Sequence, residues 1–194
     1  MNQNILLTKN YFILADQYYQ SSKLLLENII NSGNMTFGFG KSEKEAEENM
    51  QKNVLKSDSI LFLPALFDCY QCMELFVKGL ILIKNVNFEN THEIDILFND
   101  LKELYNDKTE IYKVFKNFYH NELDIIKKFK KENKITTINE FYMSLRYPNY
   151  QQKKYDYICL KYNGKDGINH VEKLIKMMES IREIVLKEYH DYIN

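Results

Sequence analysis

Tryptophan is absent from this chain of 194 residues, and proline and arginine occur only twice each. Two prolines and six glycines supply few turns, which disfavours a fold of many short strands and favours long helices. Three cysteines, an odd number, do not suit a disulfide-stapled secreted domain. The segment MNQNILLTKNYF has neither the basic start nor the long apolar run of a secretory leader. Reduced thiols in a cytoplasmic protein are therefore expected. Net charge is -1, so no global basic excess draws nucleic acid, although a local patch remains open. Lysine, asparagine, isoleucine and tyrosine crowd out arginine, the bias of an AT-rich bacterial genome. That scarcity makes Arg146 and Arg182 worth following individually.

Hydrophobic residues make up 45% and charged residues 27%, an ordinary soluble composition, with 15 Tyr and 12 Phe to fill the core. The length suits a single domain over residues 1–194. The chain is organised around Ile60 to Ile83, ILFLPALFDCYQCMELFVKGLILI, whose strongly polar residues are Asp68, Gln71, Glu74 and Lys78. At 100° per residue these fall within about a third of the circumference, giving a core helix with one narrow polar seam. It is long enough to cross a membrane, but an Asp or Lys at mid-span would cost roughly 2.5–3.5 kcal/mol each. A buried helix without membrane contact is the better reading.

Helical periodicity predicts a first helix from Ile5 or Thr8 to Asn31, stopped by Gly33. Gly33 to Gly40 reads as a flexible loop and not as a phosphate loop, since no Gly-Lys-Ser/Thr closes it after a strand. Ser42 and Glu45 form a capping box opening a polar helix. Pro64 fits the first turn of the central helix, and Gly79 implies close approach by a neighbour. Further helices are expected over Glu93–Tyr105, Thr109–Lys131 and, after a Thr137/Glu140 capping box, up to Arg146. Tyr150 to Gly167 reads as a long loop or small hairpin, with a turn at Asn163-Gly164. The last helix, Ile168 to Tyr192, spaces Val171, Met178, Val185 and Tyr192 for long antiparallel packing or a dimer seam. The expected fold is all-α: an up-and-down bundle of about five main helices with extra short ones.

Few residues suggest chemistry. Cys69 and Cys72 form a C-x-x-C without a second ligand pair, which suits core thiols better than zinc or redox use. No H-E-x-x-H or carboxylate cluster is present, so neither metal nor cofactor is expected. Glu74 and Lys78, four apart, read as an intrahelical pair that could face a cleft with His92 or Arg146. Arg146 stands at a helix end before Tyr147 and Pro148, where a guanidinium can fork onto phosphate or carboxylate.

In order and spacing, CMELFVKGLIL in the apolar helix, THEIDILFNDLKEL after it and the later LRYP resemble the HEPN superfamily. These are the helical domains of higher eukaryotes and prokaryotes that accompany nucleotidyltransferases and defence systems. The resemblance covers most of Ile60 to Pro148. It implies a helical bundle, usually dimeric, whose active members are metal-independent ribonucleases with His four to six residues after Arg. Here Arg146 is followed by YPNYQQKK, and Arg182 reaches His190 only after seven intervening residues.

The resemblance implies a HEPN-like protein of a bacterial defence or toxin–antitoxin system. It would bind RNA, a nucleotide or a protein partner such as a nucleotidyltransferase or antitoxin, as a homodimer and without ribonuclease activity. Glu74, Lys78 and Tyr147 would bind ligand. The alternatives are a metal-independent endoribonuclease with a rearranged site, using His92 as acid–base and Arg146 as phosphate clamp, and a purely structural dimerisation protein.

Overall fold

The computed structural model describes residues 3–84, 91–120, 122–162 and 164–193, with the side chains of residues 3 and 4 excepted. Among the described residues the fold is an all-α helical bundle with one minimal hairpin. The helices are α1 (Gln3–Asn31), α2 (Glu43–Val54), α3 (Asp58–Ile83), α4 (Ile94–Tyr105), α5 (Glu110–His120), α6 (Asp124–Glu132), α7 (Ile138–Arg146) and α8 (Gly164–Ile193). The strands β1 (Asn149–Tyr150) and β2 (Lys153–Lys154) lie between α7 and α8. The chain forms two compact units: residues 1–20, 68–122 and 177–194 make the first, and residues 21–67 and 123–176 make the second. Three helices, α1, α3 and α8, supply residues to both units.

In the first unit the apolar arc of α3 is buried as its composition requires, from Cys69 through Ile83. The helical run ending at Ile83 is apolar and long enough to cross a membrane by length and composition, and 61% of its most apolar window is buried inside the protein. Aromatic rings fill this unit: Phe12 stacks on Tyr189 at 4.6 Å, and Tyr70 meets Phe118 at 5.1 Å. A Cβ on Gly79 would lie 2.9 Å from the Phe12 ring, the close approach that a helical glycine allows.

In the second unit both capping boxes form. Glu45 donates its amide to Ser42 Oγ at 3.2 Å, and Glu140 donates its amide to Thr137 Oγ1 at 3.0 Å. The segment from Phe37 to Gly40, expected as a flexible loop, is laid along α2. Asn53 and Asn49, one turn apart, donate to the carbonyls of Phe37 and Phe39 at 2.7 and 2.8 Å. Glycine is needed between them, because a Cβ on Gly38 would fall 2.2 Å from the backbone of Ala46 and Met50.

Several boundaries differ from expectation. Pro64 is the seventh residue of α3, beyond its first turn, because the helix begins at Asp58. The single helix expected over Thr109–Lys131 is two, α5 and α6, broken where the chain passes from the first unit to the second. A tertiary contact opens α6: the Ile125 amide donates to Tyr162 Oη at 2.7 Å, satisfying a first-turn donor from outside the helix. The hairpin lies at the start of the expected stretch, pairing Asn149 with Lys154 and Tyr150 with Lys153. Gln151 (φ 48°) and Gln152 (φ 65°) make the left-handed turn, without the Asn-Gly that usually marks one. The alternating residues from Tyr155 to Tyr162 form no strand. Asn163 lies outside the described residues, as do residues 85–90 of the loop before His92.

α8 begins at Gly164, four residues before the expected Ile168. The cause is a buried polar knot. Asn34, fully buried at φ 51°, donates through Nδ2 to Asp58 Oδ2 (3.0 Å) and to the Gly164 carbonyl (3.2 Å). Its Oδ1 accepts the Asp58 amide at 2.8 Å, and its carbonyl accepts the Gly164 amide at 3.0 Å. Asp58 Oδ2 also accepts the Tyr162 amide at 2.7 Å. The end of α1 and the starts of α3 and α8 are thereby tied together. On α8 itself Val171, Met178 and Val185 are buried within the chain, so these three positions serve packing within one copy, while Tyr192 is half-buried.

Candidate functional site

Glu74 and Lys78 face the interior of the first unit. Lys78 Nζ lies 2.8 Å from Glu74 Oε1, with side chains 3% and 0% exposed, so the pair is buried and not the solvated helical pair that i,i+4 spacing alone suggests. His92, just before α4, places Nδ1 2.8 Å from the same oxygen while its side chain stays 60% exposed. The carboxylate holds one ring nitrogen, which orients the imidazole and leaves Nε2 to act on solvent or ligand. Tyr11 is raised above the usual phenol value, by burial first and then by the Glu74 charge. An oriented, exposed histidine on a buried carboxylate and ammonium can move a proton.

Arg146 and Tyr147 belong to the second unit. Arg146 donates through Nη2 to Tyr142 Oη, and its guanidinium lies 4.2 Å from the Tyr142 ring centroid and 5.7 Å from that of Phe67. Tyr142 is fully buried, so the arginine is anchored on an aromatic base, while Tyr147 is 49% exposed beside it in sequence. The structure thus joins Glu74, Lys78 and His92 in one cluster and describes Arg146 and Tyr147 in another. Arg182 is occupied differently: its Nε lies 2.5 Å from Asp16 Oδ1, with the guanidinium over the Tyr19 ring.

The thiols follow the core reading. Cys69 and Cys72 are fully buried, and burial pushes Cys72 well above the ordinary thiol range. Among the described residues no group of three His, Cys, Asp or Glu could hold a metal. Burial, then a hydrogen bond to Glu132, pushes the part-exposed Cys159 up to about 11. At pH 8 its iodoacetamide labelling should run roughly 10–100-fold slower than that of an unperturbed cysteine peptide. Glu132→Gln should speed it; labelling at the peptide's rate would remove this account.

One signal escaped the sequence reading, although a running charge count would have found it. Residues 123–176 hold twelve Lys and Arg against six Asp and Glu, net +6 in a chain of net -1. Five lysines fall between Lys127 and Lys134. Taken by unit, the charges are -6 for the first and +5 for the second. Lys127 and Lys128 make exposed ion pairs with Asp124 and Glu132, contacts that water and salt weaken, and Lys153 pairs with the largely covered Glu140 at 2.6 Å.

The HEPN domain family model matches residues 41–189, most of the chain. This is a HEPN domain protein. No curated protein and no solved structure matches it. The matched span contains Glu74, Lys78, His92, Arg146 and Tyr147 together with the whole basic segment, and begins beyond the end of α1. Within the HEPN domain the buried Glu74–Lys78 pair occupies the helix that carries the family resemblance.

Proposed function

We propose that this HEPN domain protein works in a bacterial defence or toxin–antitoxin system as a homodimer that binds RNA or a nucleotide without cleaving it. A nucleotidyltransferase or antitoxin is its expected protein partner, and its setting is cytoplasmic. The observation carrying the reading is the net +6 of residues 123–176, a concentrated cationic segment in a chain otherwise acidic. Phosphates are the ligands that such a segment favours. Arg146 and Tyr147 lie inside it, offering a guanidinium and an exposed ring for phosphate and base. The lack of a histidine four to six residues after Arg146 supports binding without ribonuclease chemistry.

Fluorescence anisotropy with a single-stranded RNA, in EDTA, tests this directly. Binding should fall steeply between 50 and 200 mM salt, and Lys130→Glu/Lys131→Glu should weaken it about tenfold or more. Salt-independent binding, or none, would remove the reading.

The His92–Glu74 contact favours a second reading, metal-independent ribonuclease activity. His92 would take or give the proton while Glu74 fixes its tautomer. Cleavage in EDTA that His92→Ala abolishes would replace the first reading with this one. Cleavage that also needs Arg146 would assign the phosphate clamp.

A further inference from the structure

α1 has two apolar faces. Phe12, Ala15, Tyr19, Leu26 and Ile29 turn inward and are buried. On its first half, within the first unit, four aliphatic side chains stay in solvent: Leu6 (49% exposed), Leu7 (45%), Ile13 (47%) and Leu14 (43%). At 100° per residue they gather on the side opposite the buried stripe, flanking Asn10 and Gln17. Leu6 to Ile13 and Leu7 to Leu14 are each one heptad apart, the repeat with which one helix meets another.

We infer that this face is where two copies of the chain meet, α1 against α1. The inference rests on the homodimer reading above and gives it a surface. Three observations select this occupant. The heptad stripe of α8, the other seam the sequence offered, is buried inside each copy at Val171, Met178 and Val185. The α1 face carries no charge at Leu6, Leu7, Asn10, Ile13, Leu14 or Gln17, so it can meet its own image without like-charge repulsion. A helix that lies on lipid carries lysines along its polar flank, whereas between Ile5 and Gln20 Lys9 is the one basic residue. A two-fold pairing places Leu6, Leu7, Ile13 and Leu14 of each copy into one apolar layer. Asn10 and Gln17 then hydrogen-bond across the axis and fix the register.

Sedimentation velocity of the full chain at micromolar concentration gives the test. The wild type should be a dimer that persists in 1 M NaCl, because apolar contact and not charge holds it. Leu7→Glu/Leu14→Glu should raise the dimer dissociation constant by about 100-fold or more while helical circular dichroism stays unchanged. If the double variant fails to fold, copper-catalysed crosslinking substitutes for it. Ile13→Cys in a Cys159→Ser background should form disulfide-linked dimers, and Lys113→Cys, exposed on α5 of the same unit, should not. A wild type that stays monomeric overturns both this surface and the homodimer reading, whether or not it binds lipid vesicles. A wild-type dimer left intact by both leucine changes, or crosslinked equally from both cysteine positions, overturns the surface alone.

Discussion

Lys78→Met should destabilise the protein by about 3–5 kcal/mol in denaturant unfolding, the largest loss expected from any single side chain here. Methionine keeps the length and most of the volume of the lysine stem, so little of the loss comes from a cavity. The loss comes from Glu74, whose fully buried side chain would lose its 2.8 Å ammonium partner. His92 contacts the same oxygen but is 60% exposed, and so replaces the lysine poorly. The double change Glu74→Gln/Lys78→Met should recover most of the stability. A neutral amide can still accept from His92, and no charge is left buried. The signature is therefore strong non-additivity: the double variant more stable than Lys78→Met alone. A single-variant loss within about 1 kcal/mol, the range of exposed pairs, would mean that water reaches the pair.

Breaking the polar knot should come next. Asp58→Ala removes the acceptor for the Asn34 side chain at 3.0 Å and for the Tyr162 amide at 2.7 Å, in a site where Asp58 is 3% exposed. A hydrogen bond to a charged group contributes about 1.5–3 kcal/mol, so a loss of about 3 kcal/mol is expected in thermal or denaturant melts. Asp58→Asn keeps an acceptor oxygen and should cost less. Asn34 can be dissected in the same way. Asn34→Gly keeps the left-handed backbone at φ 51° and loses only the side-chain bonds, while Asn34→Ala loses the bonds and adds backbone strain. Alanine should be the worse of the two; equal effects would remove the strain component. Gly167→Ala probes the knot from α8, since its Cβ would lie 2.4 Å from Asn34 Nδ2. Hydrogen exchange near Gly164 should rise in all these variants if the knot sets where α8 begins.

Both predictions concern residues whose local signals were readable and whose partners were not. Glu74 and Lys78 stood out because they interrupt the most apolar helix. The i,i+4 spacing is identical for a solvated pair and a buried one, and only the packing around α3 separates the two. Asp58 stands two residues before the apolar run Ile60–Ile83, but its bonds reach Asn34 and Tyr162, which lie 24 and 104 residues away in sequence. His92 was a candidate from its place before α4, and its bond to Glu74 required the fold.

By itself the sequence determined the elements whose causes are local. Helical periodicity, the Ser42/Glu45 and Thr137/Glu140 boxes and the apolar length of Ile60–Ile83 set the helices, and the order of three motifs pointed to the HEPN family. Tertiary structure alone decided the rest. It broke the expected Thr109–Lys131 helix where the chain changes unit, started α8 at Gly164 through Asn34 and Asp58, and turned the α8 heptads inward. It also left Leu6, Leu7, Ile13 and Leu14 of α1 in solvent. Periodicity records which residues share a face of a helix, and what covers that face depends on contacts between residues far apart in the chain.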